Sequence, residues 1–464
     1  MAETILYRPE LLYRDGTFLR NAGLLVNADG RIASILTDTK PVAADRIIEL
    51  PGKALLPGFV NAHSHAFQRA IRGRAESRAG SGRDFWSWRN TMYFAAASLS
   101  PAETYDVARM AFLEMALSGT TTVGEFHYLH TQPDGTAYED PNELAKAVIR
   151  AAQSVGIRIV LLRTAYMRSG FQIDQDPGQL RFFESRTQYM NALEALVHAY
   201  ATQSDEVRVG AAPHSTRAVP LADLREIVPF ARSLHLPLHM HISEQVGENE
   251  ASLREYGITP VALLQSAGLS GADWTAIHAT HLDRDEMAMW ADAGASICAC
   301  PTTERNLGDG IFPAAEAMRL KIPIALGSDS QAQIDPLEDA RQLEYHLRLE
   351  QQRRTILDSI NEQPAARRLL ECSTANGAHA LAVEAGKLEA GLFADFFTVD
   401  LQDVSIAGAS TDDLLPLLVF GVNRTALRDV AVRGRLIVQH GRHALADEII
   451  GSYCQTQHKI WSAQ

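Results

Sequence analysis

The chain has 464 residues, 46% of them hydrophobic and 21% charged, with a formal net charge of −13. Such a length exceeds one ordinary small domain and suits a large barrel with an appendage. The acidic balance argues against nucleic acid and anionic membranes as partners, and no apolar run approaches the ~20 residues of a membrane span. The opening Met1-Ala-Glu-Thr-Ile5 lacks the basic and apolar regions of a signal peptide. Cys298, Cys300, Cys372 and Cys454 suggest no disulfide framework, and Cys298 and Cys300 sit in an apolar run as packed thiols. The expectation is a cytoplasmic protein.

In chain order, the first residues give short strands broken by turns: Thr4–Tyr7, Gly23–Val26 and Arg31–Leu36. Eight apolar, β-rich runs follow: Ala54–Val60, Thr120–Phe126, Arg158–Thr164, Val207–Ala212, Pro237–Ile242, Thr275–His278, Ala295–Cys300 and Ile322–Gly327. Between them lie stretches with helical spacing of apolar residues, such as Ala102–Leu117. Strands that are apolar almost throughout and alternate with helices predict an α/β fold, a closed parallel (β/α)8 TIM-type barrel. An open doubly wound sheet is the alternative. From about Gly386 onward the chain returns to short strands, Phe396–Val399 and Val430–Val438. The two β-rich ends predict one small β-sandwich, since chain termini often lie close together. The expected division is 1–57 and 384–464 for the sandwich and tail, and 58–383 for the barrel.

Polar residues gather where each barrel strand ends, the face on which barrel enzymes build their sites. The first run leads into Asn61-Ala-His63-Ser-His65, and alternate strand residues point to one side, so both imidazoles project together. Other strands end in Glu125-Phe-His127-Tyr128, His214-Ser-Thr-Arg217, His239-Met-His241-Ile-Ser-Glu244, His278-Ala-Thr-His281 and Gly327-Ser-Asp329-Ser330. His63, His65, His241 and Asp329 predict a site for one divalent metal, with Zn2+ or another first-row ion suited to imidazole and carboxylate. Such an ion acidifies a bound water toward a pKa of ~7, and Asp329 can accept its proton. Glu244 is placed to shuttle that proton to a leaving nitrogen, and His278 to hydrogen-bond the attacked group or the hydroxide. His239, His281 and His127 read as structural or supporting groups. No lysine occurs between Lys146 and Lys321, so a carboxylated lysine bridging two metals on a middle strand is not available. A single metal and deamination chemistry are the expectation. The P-C-x-x-C, H-E-x-x-H, G-x-S-x-G and P-loop patterns are absent.

Several segments carry a family resemblance. They are His63–Ala70, Phe85–Tyr93, Glu125–Tyr128, His214–Val219, His241–Gln245, His278–His281, Asn306–Pro313 and Gly327–Ser330, with Gly386–Asp395 leading back toward the sandwich. Together they resemble the amidohydrolase superfamily, and within it the branch that removes the imino group from N-formimidoyl amino acids. The resemblance implies hydrolysis of N-formimidoyl-L-glutamate to N-formyl-L-glutamate and ammonia, a step of histidine degradation, and a homodimer. It assigns substrate contacts to Gln68, Arg89, Tyr128, His214 and Arg217. The small-molecule partner would carry two carboxylates, and two arginines suit them because the guanidinium fork binds a carboxylate bidentately. Arg89 has the alternative of stacking beside Trp86 and Trp88. Thr216 departs from the pattern, where an apolar residue is expected. Deimination of another iminated amino acid, such as formimidoyl-aspartate, and an aminohydrolase of heterocycles on the same fold stay open. A non-catalytic barrel is disfavoured because the full set of candidate ligands and acids is present.

Overall fold

A computed structural model of the chain describes residues 3–37, 43–76, 85–173, 175–201, 205–359 and 364–462, with the side chains of Phe85, Trp86 and Ser87 outside that set. Five strands come first: β1 (Ile5–Arg14), β2 (Thr17–Arg20), β3 (Gly23–Val26), β4 (Ile32–Leu36) and β5 (Arg46–Pro57). Eight more follow, alternating with helices: β6 (Phe59–Ser64), β7 (Thr120–His127), β8 (Arg158–Ala165), β9 (Val207–Pro213), β10 (Leu238–Ile242), β11 (Trp274–His278), β12 (Ser296–Ala299) and β13 (Ile324–Leu326). The last four are β14 (Phe396–Asp400), β15 (Leu427–Val432), β16 (Arg435–Gln439) and β17 (Arg442–His443).

Strands β6 to β13 pair in parallel in chain order. A parallel bridge between Ser64 and Asp329 brings the last edge to the first. This is the nearly closed eight-stranded barrel expected. Its strands are buried along almost their whole length, as parallel strands covered on both faces must be. The anticipated helix after the first barrel strand runs Pro101–Leu117. It opens on Ser100, whose side chain accepts from Glu103 N–H while Glu103 reaches back, and it buries Val107, Ala111, Phe112 and Met115 on one stripe. The terminal helix Ala446–Trp461 packs on it, joined by Arg109–Glu448 at 2.9 Å and by Lys459–Glu103. Among the described residues no helix is long and apolar enough to cross a membrane.

Both chain ends form one nine-stranded sheet in the order β17-β16-β15-β14-β5-β1-β3-β4, with β2 on β1. All its pairs are antiparallel except β1 with β5. Tyr7, Leu12, Leu24, Ile32, Leu55 and Phe396 fill its core, consistent with the expected sandwich domain. Two local expectations need correction. The run Ala54–Val60 is not one barrel strand: Ala54–Pro57 pair with β1 and β14 in the end sheet, and the barrel begins at Phe59. The run Val430–Val438 is two antiparallel strands around Arg433-Gly434. Those residues have φ of 51° and 70°, the tight hairpin turn that a glycine permits.

Arg158 at the start of β8 and Asp395 ahead of β14 form an ion pair in which both side chains are 0% exposed. Arg158 also donates to Thr122 Oγ1 at 3.0 Å, and Asp395 accepts the Arg433 N–H at 2.8 Å. The pair bolts the barrel floor to the end sheet. Arg158→Met would leave the carboxylate enclosed without its counter-charge, and removing one partner of a buried pair costs about 3–5 kcal/mol. Chemical denaturation should show that loss, and a change below ~1 kcal/mol would rule out this role.

Candidate active site

Three imidazoles and one carboxylate meet at the C-terminal mouth of the barrel. His63 and His65 come from β6 and its end, His241 from β10, and Asp329 from the turn after β13. Main-chain carbonyls decide the ring protons. His65 Nδ1 donates to Phe126 O at 2.8 Å and His241 Nδ1 to His214 O at 3.1 Å. A carbonyl only accepts, so each ring presents a lone pair at Nε2, and these two atoms lie 3.3 Å apart. His63 Nε2 is 3.2 Å from His241 Nε2 and 3.1 Å from Asp329 Oδ1, while His65 Nε2 is 3.2 Å from the same oxygen. Facing lone pairs beside a carboxylate call for a cation between them. The centre of a tetrahedron with such edges lies about 2 Å from its corners, the length of a zinc–nitrogen or zinc–oxygen bond. Burial pushes His63 down to about 3 and His241 well below the usual histidine range, so both rings are neutral, as ligation requires. The residues fit one divalent ion.

Supporting contacts hold this set. Asp329 sits at φ +43°, its N–H given to His63 O and its C=O taken by His65 N–H, both at 3.0 Å. A Cβ on Gly327 would come within 2.7 Å of His63 Cβ, so only glycine allows β13 this close to β6. Ser64 Oγ donates to Glu125 at 2.6 Å and receives Gln331 Nε2 at 2.8 Å. Elemental analysis of metal-replete protein should find one equivalent per chain; two tightly held equivalents would contradict the four-ligand reading.

His278 ends β11 in left-handed backbone, φ +68°. Its Nδ1 lies 3.3 Å from Glu304 Oε1, and its Nε2 lies 3.9 Å from both Glu244 Oε1 and Asp329 Oδ2. Burial alone would lower its pKa, but Glu244, Glu304 and Asp329 raise it well above the usual range. Carboxylates thus face both nitrogens, Glu304 at Nδ1 and Glu244 with Asp329 at Nε2. A divalent charge at the cluster acts against that protonation. Glu244 is 22% exposed, the open member of this group.

A cavity of about 450 Å³ rises above the cluster, lined among others by His65, Gln68, Arg89, Tyr128, His214, Arg217, His241, Glu244, His278 and Asp329. Every residue named from sequence as metal-binding, catalytic or substrate-binding thus faces it, except the deeper His63. Arg89 Nε donates to Tyr93 Oη beside the cavity. Arg217 Nη1 meets Tyr166 Oη at 3.4 Å, and among the described residues no carboxylate stands in salt-bridge reach of it. Gln68 Nε2 donates to Tyr128 Oη at 2.8 Å, leaving Gln68 Oε1 without a partner. Burial holds His214 well below the usual histidine range. Trp88 lines the cavity beside Arg89, while the Trp86 side chain lies outside the described residues.

The remaining histidines stay out of the cluster. His239 bonds Ala380 O at 2.8 Å, His281 bonds Asp309 O at 2.7 Å, and His127 keeps Nε2 unpartnered. Thr216 is buried with Oγ1 unpartnered, and its main chain supports Arg168. Sequence reasoning passed over Glu304, which braces His278, and over Glu248 and Asp309, which flank Glu244.

Comparison with known proteins agrees with this geometry. Residues 54–437 match the model of the Amidohydrolase family. A formimidoylglutamate deiminase of Pseudomonas aeruginosa is 37% identical over 426 residues, covering 92% of each chain. A 5-methylthioadenosine/S-adenosylhomocysteine deaminase of Syntrophomonas wolfei is 26% identical over 437 residues, 92% of this chain and 91% of that one. Among solved structures, an amidohydrolase from Brucella melitensis superposes with a TM-score of 0.87 at 32% identity, covering 98% of this chain and 99% of its own.

Proposed function

The chain belongs to the amidohydrolase family, and on that premise we propose that it hydrolyses N-formimidoyl-L-glutamate to N-formyl-L-glutamate and ammonia, a step of histidine degradation, with one zinc ion per chain. The observation that carries this reading is the polarity of the cavity. The cavity offers Arg89 and Arg217, the latter with no carboxylate in salt-bridge reach among the described residues, together with the three-histidine, one-aspartate cluster, Glu244 and His278. Two carboxylates on the substrate suit the forks of the arginines, and its cationic formimidoyl end would face Glu244 and Asp329. The relative at 37% identity supports the same substrate.

When bound, the ion supplies a water acidified toward a pKa of ~7 and polarises the atom under attack. The chain's own residues do the rest. Asp329 takes the proton of the attacking water through Oδ2, which lies 3.9 Å from His278 Nε2. His278 Nε2–H steadies the attacked group, with Glu304 fixing the ring from behind. Glu244 passes a proton to the terminal nitrogen. The carbon–nitrogen bond to that nitrogen breaks, Glu244 takes up the proton of the added hydroxyl, ammonia leaves with the proton Asp329 had taken, and the formyl oxygen comes from water. Gln68, Tyr128 and His214 line the space between these poles as neutral hydrogen-bonding groups.

Ammonia release from a panel of iminated and aminated compounds tests the reading. N-formimidoyl-L-glutamate should be turned over best, and formimidoylglycine, lacking one carboxylate, about 10²-fold more slowly in kcat/KM. Strong turnover of guanine or an adenosine derivative with none on N-formimidoyl-L-glutamate would sink it.

A further inference from the structure

The segment carrying Glu244 leaves β10 at Ile242 and enters the helix Val246–Tyr256, and there it breaks a pattern the chain uses elsewhere. Helices after Ser100, Ser185 and Asp283 begin with a reciprocal cap, in which the third helical side chain reaches back to the N–H of the capping residue. Those contacts measure 3.0, 2.9 and 3.1 Å. In the helix after Gln245 the third residue is Glu248. Glu248 Oε2 passes the capping position and accepts the N–H of Glu244 instead, at 3.2 Å. Gln245 makes no cap and donates to Asp309 Oδ1. Ser243 is held at φ +51°, with its C=O taken by His281 N–H at 3.0 Å.

Three consecutive residues are thus tied by three different side chains or loops, and the tie on Glu244 itself is Glu248. A left-handed non-glycine such as Ser243 persists only where its surroundings over-determine it. The main chain there would relax if a tether were cut, and the Glu244 carboxyl would swing with it. Glu248 also lines the cavity. Its Oε1 is enclosed with no hydrogen bond among the described residues, and charged groups acting on it include Arg217, Glu244 and His278.

We propose that Glu248 is a positioning residue, whose carboxylate fixes the main chain of Glu244 so that the acid faces the leaving nitrogen. This rests on the reading of Glu244 as the proton donor. In metal-loaded enzyme, Glu248→Ala should lower kcat about 10²-fold with KM within about threefold and metal retained. Glu248→Gln keeps an acceptor oxygen and should recover about tenfold of that loss. In a Glu244→Gln background, Glu248→Ala should cost nothing further, because both changes remove one function. Amide exchange of residues 242–248 supplies a readout without substrate: about tenfold faster in Glu248→Ala and restored in Glu248→Gln. Unchanged exchange in Glu248→Ala, an equal loss in the Glu244→Gln background, or a raised KM with kcat kept would each overturn the proposal. If the wild-type protein ignores N-formimidoyl-L-glutamate, the substrate reading fails, and the exchange experiment still decides the tether.

Discussion

If Glu244 is the proton donor proposed above, Glu244→Gln should lower turnover by about 10²–10⁴-fold while the protein keeps its metal, the range typical of a lost general acid. The amide matches the carboxyl in shape, so the cavity, the tether from Glu248 and the four-ligand cluster stay in place. What disappears is the exchangeable proton. Glu244 Oε1 stands 3.9 Å from His278 Nε2 on a side chain 22% exposed, and Glu244 is not one of the four clustered ligand groups. Steady-state kinetics with metal analysis on the same sample checks this. Turnover within a few-fold of the wild type would remove Glu244 from the chemistry.

Arg217→Met or Arg89→Met should lower kcat/KM for N-formimidoyl-L-glutamate by about 10²–10³-fold, since truncating one partner of an enclosed charge pair costs about 2–5 kcal/mol. Methionine keeps much of the stem's volume, so the loss reports the fork and its charge. Lysine at either position should restore only part of the rate, supplying a point charge where a planar pair of donors is needed. A substrate missing the carboxylate that a given arginine reads should show no added loss in that arginine's variant, because each change deletes the same contact. Additive losses would mean that the arginine acts elsewhere.

Much of this was legible in the chain because barrel strands are apolar almost throughout. Against that background His63, His65, His241, His278 and Asp329 stand out at strand ends, and their order along the chain gives their place around the mouth. Continuity also misleads. Ala54–Val60 reads as one apolar run, yet it spans two sheets, and the Pro57-Gly58 pair inside it marks the break. Val430–Val438 hides a reversal, because Arg433 takes the left-handed conformation beside Gly434. Glu248 and Asp309 escaped for a different reason. Acids in a helix's first turn and in a glycine-flanked loop are ordinary solvated features, and only the fold reveals that both turn inward to grip residues 244 and 245. Glu304 likewise sits in the first turn of a helix, Pro301–Leu307, with nothing local to mark it as the brace of His278.

The bridge from Ser64 to Asp329 has a bearing on how the enzyme matures. His63 and Asp329 are 266 residues apart in the chain, and their side chains meet only when the last strand docks against the first. A ribosome-bound nascent chain that has not yet emerged through residue 329 offers two imidazoles and then a third, but no complete ligand set. Ion capture at full strength should therefore come late, coupled to shutting the seam. The same coupling runs backward: a chelator that strips the ion also withdraws a staple from the place where the β-ring joins its own ends. Apoprotein should open there first, which amide exchange of residues 59–65 and 324–330 in chelator-treated protein would show as faster than in metal-loaded protein.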